Sequence, residues 1–379
     1  MTVVTVASWG LTSWGDRAEG LVDLLAEAGS VALEGVGRKP IDLLIVGSTG
    51  IGESADGSLV LPQVSDRLGI DTGAAVRVES GTATGAAAFH SAVEAVRSGD
   101  VERVLVVAAE KRPPAARDPT SAWMEPWLAP SERAAGATAP ALAALIAQRY
   151  LTRFATGPEV FDEIVTRARE RASPSPRDPK PVGDPGRTLE QSPWVAPPLR
   201  AAHCAVRGDG AAAIVVERGA GRVIVRGIGQ GLDVQAVSER ADLTSFRASR
   251  LAGQRAMAGA RLPGSRADFV EVYDAYAPLV CLAIEDLGVC QPGEAPTWLG
   301  NHDGTSEGAR SVNPSGGLLG SGDPIAASGL VGIVHVARQL AGEAGSQQLP
   351  RAARTGLAHS LGGLGAQALV TILARSGKR

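Results

Sequence analysis

Cysteine and histidine are both scarce in this chain of 379 residues, which contains three cysteines and five histidines. The cysteines (Cys204, Cys281 and Cys290) are widely spaced and form no Cys-x-x-Cys pair, so neither a disulfide framework nor a structural zinc site is expected. The histidines never fall in a His-x-x-x-His or His-Glu-x-x-His pattern, so we expect no metal site. This sparing use of cysteine fits a reducing compartment and predicts a cytoplasmic protein.

Long apolar runs and an excess of basic residues are also missing. No stretch approaches the run of about 18 apolar residues that a membrane helix needs, and the first residues, MTVVTVASWG, lack a charged segment before a strand-like pattern. We therefore expect neither a membrane span nor a secretory signal peptide. The net charge is −3, whereas a nucleic-acid-binding domain normally shows a basic face, so we expect no nucleic-acid partner.

The first part of the chain alternates short β-rich runs with Ala-rich helical segments. The pattern predicts strands at residues 2–8, 42–47, 75–79 and 102–109, and helices at 16–34, 60–68 and 84–98. Strands and helices that alternate in this way form a parallel-rich sheet covered on both faces. The fold class is therefore predicted to be α/β.

The alternation stops between about residues 112 and 200. Pro-rich and charged stretches such as SPSPRDPKPVGDPG (173–186) flank a predicted helix at 136–155 in this part of the chain. A segment of this length is too long for a simple connection, so we interpret it as an inserted loop domain of the kind that carries binding surfaces. Order returns with a predicted strand at 211–217.

A second round of elements follows the insertion. We predict strands at 222–228, 268–273, 355–359 and 366–374, helices at 245–259, 277–287 and 325–340, and a Gly-rich loop at 313–324. The two rounds are similar in element order, which indicates an internal structural duplication. The predicted domains are an N-terminal half at 1–217, which includes the loop domain, and a C-terminal half at 218–379.

Five motifs, spread in order over the chain, carry a resemblance to a known family. They are RVESGTATG at the start of 77–111, SPWVAPPLRAAHCAVRGDG in 192–217, EVYDAYAPLVCLAIEDLG at 271–288, NPSGGLLGSGDPIAASG at 313–329, and HSLGGLGAQALVTIL at 359–373. Together they resemble thiolases, most closely those of the sterol-carrier (lipid-transfer) branch. The resemblance implies a thiolase fold, in which two similar βαβ-rich halves form five layers (αβαβα) with an inserted loop domain.

The resemblance also carries expectations about ligands and partners. It implies an acyl-CoA thioester as the ligand, with coenzyme A as part of the substrate and no covalently bound cofactor. It further implies a homodimer, and a small OB-fold, zinc-ribbon partner protein of the kind that accompanies many members of this branch.

The resemblance places Thr82 where thiolases have their nucleophilic cysteine. In the family this residue sits in a sharp turn between a strand and a buried helix, and alignment through Glu79 and Gly85 brings Thr82 to that position. A helix N-terminus contributes only about 1 kcal/mol, which leaves an alcohol protonated at neutral pH, so a nucleophilic Thr82 would need a strong base in contact. Two interpretations stay open: Thr82 attacks or hydrogen-bonds the substrate, or Thr82 or Thr84 caps the following helix.

Two family histidines are replaced as well. Tyr273 stands where this branch has His in His-Asp-x-Phe, and the similar steroid side-chain aldolases have Tyr-Asp-x-Phe there, with a second tyrosine near the Gly-rich loop that is absent here. A phenol can take the proton of a β-hydroxyl or donate to a developing enolate; the alternative is a core aromatic followed by Asp274 as a helix cap. Asp323 replaces the His of Gly-His-Pro and is either a general base with a pKa raised by burial or a turn residue before Pro324.

His359 stands before the C-terminal glycine loop, where many thiolases have an acid/base cysteine and the sterol-carrier branch has His. Because the ordinary pKa of His lies near neutrality, we predict His359 as a general base. Lys111 raises the alternative of a Schiff-base aldolase, although it follows a strand into a Pro-rich loop with no pattern of burial.

Three hypotheses for the function follow. The first is an enzyme that cleaves or forms a carbon–carbon bond of an acyl-CoA without a cysteine nucleophile, favoured as retro-aldol cleavage of a β-hydroxyacyl-CoA by Tyr273, His359 and Asp323. The second is a thiolase-type acyltransferase or Claisen condensing enzyme that uses Thr82 with His359 as base. The third is a non-catalytic subunit that binds acyl-CoA within a heteromeric complex.

Overall fold

The computed structural model describes residues 2–37, 39–50, 59–113, 127–172, 189–262, 266–302 and 310–377. The strands in these residues are β1 (Val4–Leu11), β2 (Leu43–Gly47), β3 (Ala75–Val78), β4 (Arg103–Glu110), β5 (Trp194–Ala196), β6 (Leu199–Arg200), β7 (Gly210–Arg218), β8 (Val223–Leu232), β9 (Phe269–Glu271), β10 (Ser311–Val312), β11 (Thr355–Gly362) and β12 (Gln367–Arg375). Apart from the β5–β6 hairpin, these strands form one sheet in the order β10-β9-β11-β12-β8-β1-β7-β4-β2-β3.

Helices connect and cover the strands. They are α1 (Leu21–Glu34), α2 (Val60–Leu68), α3 (Thr84–Ser98), α4 (Pro130–Ala134), α5 (Ala139–Phe154), α6 (Glu159–Arg171), α7 (Arg247–Ala260), α8 (Pro278–Asp286), α9 (Ala295–Asn301), α10 (Gly317–Ser321) and α11 (Ser328–Ala341). Within the described part of the chain, no helix is long and apolar enough to cross a membrane.

The sheet consists of the same five-stranded unit twice. In the N-terminal unit β1 pairs antiparallel with β7, β7 antiparallel with β4, and β2 parallel with both β4 and β3. In the C-terminal unit β8, β12, β11, β9 and β10 repeat these pairings in the same order and the same directions. The predicted α/β class and internal duplication are therefore confirmed, and the two units join through β1 and β8, where Thr5 lies opposite Ile224.

Five layers result from the placement of the helices. One apolar cluster lies under α1 and α2, a second surrounds α3 and α11, and a third lies under α7 and α8. The central helices approach closely: a Cβ atom added to Gly85 would lie 2.8 Å from the backbone nitrogen of Leu330, so only glycine fits there. The second cluster thus forms the α layer between the two sheet halves of the αβαβα arrangement.

The predicted insertion supplies α4, α5, α6 and the β5–β6 hairpin among its described residues, while the Pro-rich segment at 173–186 lies outside them. The apolar faces of α5 and α6 belong to the same cluster as α8, with Tyr150 and Phe161 fully buried. The insertion therefore packs on the outer face of the C-terminal unit. The domain limits at 217/218 and about 112–200 stay predictions.

Most predicted elements appear close to their expected bounds, and α2 and α3 match them residue for residue. The helix predicted from residue 16 begins at Leu21, and the helix predicted from 325 begins at Ser328, because a 3-10 turn (Ile325–Ala327) precedes it. The strand predicted at 355–359 continues to Gly362, since its pairing with β12 extends to Gly362 and Gln367. His359 therefore lies inside a strand.

Candidate active site

Four loops meet where the parallel strands of both units end. They follow β3, β9 and α10, and they include the turn between β11 and β12. Ligands of α/β folds generally bind outside the carboxyl ends of the strands, because the connecting loops and helix N-termini converge there. These loops carry Thr82, Tyr273, Asp323 and Gly363, which all line one pocket.

Thr82 lies in a tight 3-10 turn (Gly81–Ala83) immediately before the central helix α3. Gly81 has φ +56°, a left-handed conformation that glycine adopts without strain. The Thr82 hydroxyl donates to the carbonyl oxygen of Leu361 at 2.5 Å and accepts from the backbone N–H of Gly363 at 3.1 Å. Thr82 therefore links the turn before α3 to the end of β11. Its single hydroxyl proton is donated in a hydrogen bond to the backbone carbonyl of Leu361.

The prediction that Thr82 or Thr84 caps α3 is wrong. The N-cap residue of α3 is Ala83, which makes no capping hydrogen bond. The Thr84 hydroxyl instead accepts from the N–H of Ser80 at 2.8 Å and donates to the carbonyl of Gly81 at 2.7 Å. Thr84 therefore stabilises the turn itself, whereas Thr82 links the turn to the end of β11.

Tyr273 and Asp274 follow β9, and both are buried. Burial raises the pKa of Tyr273 well above its ordinary value, the charge of Asp323 adds to the rise, and the neighbouring Thr82 side chain opposes it. Tyr273 is therefore a protonated phenol at neutral pH. The carboxylate of Asp274 accepts from the N–H of Leu318 at 2.7 Å, so Asp274 caps helix α10.

Asp323 lies between α10 and α11 and is 2% exposed. Its Oδ1 atom accepts from the N–H of Ile325 at 2.8 Å and from the Ser328 hydroxyl. Its Oδ2 atom makes no hydrogen bond within the described part of the chain. Burial raises the pKa of Asp323, while Ser328, the charge of Arg207 and the N–H of Ile325 oppose the rise. Asp323 thus has one fixed oxygen and one available oxygen.

Two functional candidates, Arg207 and Tyr276, were not predicted from the sequence. The Nη2 atom of Arg207 donates to the hydroxyl oxygen of Tyr276 at 3.0 Å, and both side chains line the pocket with Tyr273 and Asp323. Burial raises the pKa of Tyr276 to about 12, with Arg207 opposing the rise. The sequence held one signal for this pair, since Tyr276 stands where the branch has the Phe of His-Asp-x-Phe.

The pocket combines these polar groups with an apolar wall. Trp127, Leu128 and Ala139 of the insertion form this wall together with Gly363 and Leu364. The pocket contains about 400 Å³ of empty space, part of which is open to solvent. A concave apolar site with a few convergent polar groups is typical of small-molecule binding. No histidine is among the described residues that line this pocket.

His359 lies outside this pocket, against a neighbouring cavity that also borders Tyr273, Glu271 and His335. Its Nε2 atom is 3.0 Å from the hydroxyl of Ser249 on α7, and its buried Nδ1 atom has no hydrogen-bond partner. Burial lowers the pKa of His359 to about 3. The imidazole is therefore neutral at neutral pH, and its role as a base stays a prediction.

Lys111 is engaged elsewhere. Its Nζ atom donates to Oδ2 of the fully buried Asp209 at 3.0 Å and to the carbonyl of Arg17. Arg112 donates to the other oxygen of Asp209 at 3.0 Å. This arrangement holds Lys111 as a charged member of a structural ion-pair cluster, away from the pocket.

The duplicated five-stranded fold, with the tight turn of Thr82 before the buried central helix α3, defines a thiolase-fold protein. A family model described as "Thiolase C-terminal domain-like" matches residues 229–375. The acetyl-CoA acetyltransferase of Methanothermobacter thermautotrophicus is 32% identical over 93% of this chain and 94% of its own length. The corresponding acetyl-CoA acetyltransferase of Methanocaldococcus jannaschii is 30% identical over 98% and 99%. The chain belongs to the thiolase superfamily.

Within the superfamily, the chain is also similar to proteins of the sterol-carrier (lipid-transfer) branch. Human sterol carrier protein 2 is 26% identical over 92% of this chain and 67% of that protein. The solved structure named "Ltp2-ChsH2(DUF35) aldolase" superposes with a TM-score of 0.81 at 24% identity, covering 99% of this chain and 98% of that one. A monomeric SCP2-thiolase like protein type 1 from Mycobacterium smegmatis gives a TM-score of 0.74 at 16% identity, covering 99% and 78%.

Proposed function

We propose that this protein is a thiolase-like enzyme that cleaves the Cα–Cβ bond of a β-hydroxyacyl-CoA by a retro-aldol reaction, without a cysteine acyl-enzyme. The observation that carries the proposal is the presence, in one pocket, of a carboxylate with an available oxygen (Asp323) and a protonated phenol (Tyr273). A retro-aldol cleavage needs these two groups, a base for the β-hydroxyl and a donor for the thioester oxygen.

Two of the comparisons support this choice. Relatives named acetyl-CoA acetyltransferase support an acyl-CoA thioester as the ligand, with coenzyme A as part of the substrate. The structure named an aldolase indicates that the same fold also serves aldol chemistry.

Asp323 is the base that we assign to the β-hydroxyl. Its Oδ1 atom is fixed by Ile325 and Ser328, so the carboxylate has a set orientation and Oδ2 is left to accept the proton. Burial raises its pKa, which makes it a stronger base than an ordinary carboxylate. As the hydroxyl proton moves to Oδ2, the Cβ–O bond becomes a carbonyl, the Cα–Cβ bond breaks, and the electron pair moves to the thioester enolate.

The charge balance of this step explains how an acidic residue can stand beside an enolate. Asp323 is negative before the step and neutral after it, while the enolate gains the negative charge, so the two anions never coexist. Tyr273 stays protonated and donates to the enolate oxygen. Asp323 then returns its proton to Cα, which releases a shortened acyl-CoA and a ketone or aldehyde.

A second candidate function is acyl transfer through Thr82, favoured by the identity to the archaeal acetyltransferases. A nucleophilic hydroxyl must lose its proton to a base. The proton of Thr82 is instead donated to the carbonyl of Leu361, and no histidine lines the pocket among the described residues. We therefore place acyl transfer second.

Mass spectrometry of the purified protein, alone and with any co-encoded partner, incubated with a β-hydroxyacyl-CoA tests the proposal. We expect a ketone or aldehyde and a shortened acyl-CoA, and a loss of about 10²–10⁴-fold in the Asp323→Asn variant, whose amide keeps the fold but cannot take the proton. Glu94→Gln on the exposed face of α3 is the matched control. An acyl adduct on Thr82 supports transfer instead, and a bound but unchanged thioester supports the non-catalytic subunit.

We also propose a homodimer and a small OB-fold, zinc-ribbon partner as the working assembly. The name of the matched structure, which couples Ltp2 with ChsH2(DUF35), supports the second part. Size-exclusion chromatography with light scattering, with and without a co-encoded partner of this type, measures both. A monomer that cleaves the thioester at full rate without the partner contradicts this assembly.

A further inference from the structure

The pocket contains two phenols from one short motif. Residues 273–276 read Tyr-Asp-Ala-Tyr, and both tyrosines are buried and line the pocket. Both phenols therefore reach the pocket from the one loop that follows β9.

Arg207 fixes which way the proton of Tyr276 points. A guanidinium has five N–H donors and no acceptor, so Arg207 can only donate to the phenolic oxygen, as its Nη2 atom does at 3.0 Å. The Tyr276 proton must then point to another acceptor. No such acceptor for this O–H is found within the described part of the chain, which leaves the proton for a ligand in the pocket.

The backbone holds this pair in place from both sides. The segment that carries Arg207 pairs with the segment that carries Tyr276: Ala205 N–H donates to Ala275 at 2.8 Å and Ala277 N–H donates to His203 at 2.9 Å. Along its other edge, Val206 accepts from the N–H of Asp323 at 2.8 Å. One extended segment therefore aligns the loops of Tyr276 and Asp323, so the donor is positioned before any substrate binds.

We propose that Tyr276 is a catalytic residue that donates its proton in a hydrogen bond to the thioester oxygen, and that Arg207 is the positioning residue that directs and polarises this donor. The proposal rests on the acyl-CoA chemistry proposed above. It adds a second donor to Tyr273 and so completes a two-donor site for the enolate oxygen.

The two charged groups of the pocket act on the phenols in opposite directions. A cation bound to the phenolic oxygen stabilises the build-up of negative charge on it and strengthens the O–H as a donor. Arg207 acts on Tyr276 in this way through their hydrogen bond, and its charge lowers the pKa of both phenols, whereas the charge of Asp323 raises both. The positive charge also remains in the pocket after Asp323 takes up its proton, when the enolate is the only anion.

Steady-state kinetics at the pH plateau of each variant test the catalytic role. Tyr276→Phe introduces the residue that the branch has at this position and is expected to fold, with kcat lowered about 10²-fold and KM nearly unchanged. Arg207→Gln is expected to lower kcat as well, but to add little in the Tyr276→Phe background, because at the pH plateau, where Asp323 is ionised, Arg207 acts through that hydroxyl. Arg207→Lys should recover part of the loss, and Arg153→Gln, on an exposed ion pair outside the pocket, is the control.

Infrared difference spectroscopy of bound acetyl-CoA labelled with carbon-13 at its carbonyl gives a readout that does not need turnover. We expect the carbonyl band to lie at lower frequency in the protein than in water, and part of that shift to disappear in Tyr276→Phe and in Arg207→Gln. An unchanged band and an unchanged kcat in Tyr276→Phe overturn the inference while the retro-aldol proposal stands. A band that depends on Tyr276 in a protein without cleavage activity supports the inference and overturns the retro-aldol proposal. Absence of any bound thioester overturns both.

Discussion

The Nη2 atom of Arg207 lies 3.0 Å from the hydroxyl oxygen of Tyr276, 69 residues further along the chain. Arg207 also borders Asp323, whose pKa it lowers against the effect of burial. One cation therefore acts on both the proposed base and one proposed donor. A substitution of Arg207 is therefore expected to change the pKa values of both Asp323 and Tyr276.

The pH profile of cleavage is the first prediction. The proposed base must be ionised, so activity falls as the pH falls through the pKa of Asp323. Because burial raises this pKa, the acid limb of kcat/KM should lie above pH of about 4, the ordinary range of aspartate. Removal of the cation in Arg207→Gln should move the limb to higher pH, since Arg207 opposes the rise. A limb that does not move in this variant contradicts the coupling.

Restoring the family cysteine should not restore thiolase activity. A thiolate nucleophile needs groups that lower its pKa, such as a nearby histidine, and no histidine is found among the described residues lining the pocket. Thr82→Cys should therefore form no acyl adduct with acetyl-CoA by intact-mass spectrometry and should not cleave acetoacetyl-CoA. Thr82→Ser, which retains the hydroxyl, is the matched control, and acylation of the Thr82→Cys variant at its new thiol would refute this account.

The Thr82 hydroxyl should matter for stability. Thr82→Val keeps the shape of the side chain but leaves the carbonyl of Leu361 and the N–H of Gly363 without their partner. An unpaired buried backbone group, here the carbonyl of Leu361, costs about 1–3 kcal/mol, so the free energy of unfolding in urea should fall by this amount. Thr82→Ser should stay close to the wild type. Equal stability of the Val and Ser variants would mean that the two hydrogen bonds contribute nothing net.

The His359→Gln variant tests the predicted base in β11. Glutamine can keep a hydrogen bond to Ser249 but cannot titrate, and the imidazole is already neutral because burial lowers its pKa to about 3. We expect the cleavage rate to stay within a few-fold of the wild type, with no change in the acid limb. A loss of about 100-fold or more, typical of a removed general base, would return His359 to the catalytic machinery.

The sequence predicted the fold well because its signals are local. The period of α3 and the turn glycine at its end (Gly99, φ +95°) set the bounds of that helix without help from the rest of the chain. Strand periodicity likewise located β4 and β7 within a residue or so. Helix α6 was missed because its strongly charged sequence sits between Pro-rich stretches.

The candidate site could be predicted only in part. Its composition depends on which way each side chain points and on which segments, far apart in the sequence, pair in the fold. Neighbouring residues of a strand point to opposite faces: Ser360 faces Gly329 of α11, whereas His359 faces Ser249 of α7 on the outer side. The position of His359 in a motif does not reveal this difference. The place of Arg207 in the site could not be predicted for another reason. Only the pairing of its segment with residues 275–277 brings Arg207 to Tyr276.

Stability should fall in alkaline solution because of a buried pair of acids beside the pocket. Burial raises the pKa of Glu271 from 4.5 to about 8 and that of Asp274 from 3.8 to about 7. The folded state therefore holds these protons more tightly than the unfolded chain, and the stabilisation present at acid pH is lost as the pH rises through about 7 and 8. Ser315 donates to both carboxylate oxygens of Glu271, which limits the loss.

Urea unfolding at pH 5, 7 and 9 measures this effect in the Glu271→Gln variant and the wild type. The amide cannot ionise and can still accept from the N–H of Ser315 at one oxygen. We therefore expect the variant to lose less stability between pH 5 and pH 9 than the wild type, and to be the more stable protein at pH 9. Glu94→Gln, on the exposed face of α3, should follow the wild type throughout. Parallel curves for the wild type and Glu271→Gln would show that Glu271 is already ionised in the folded protein at pH 5.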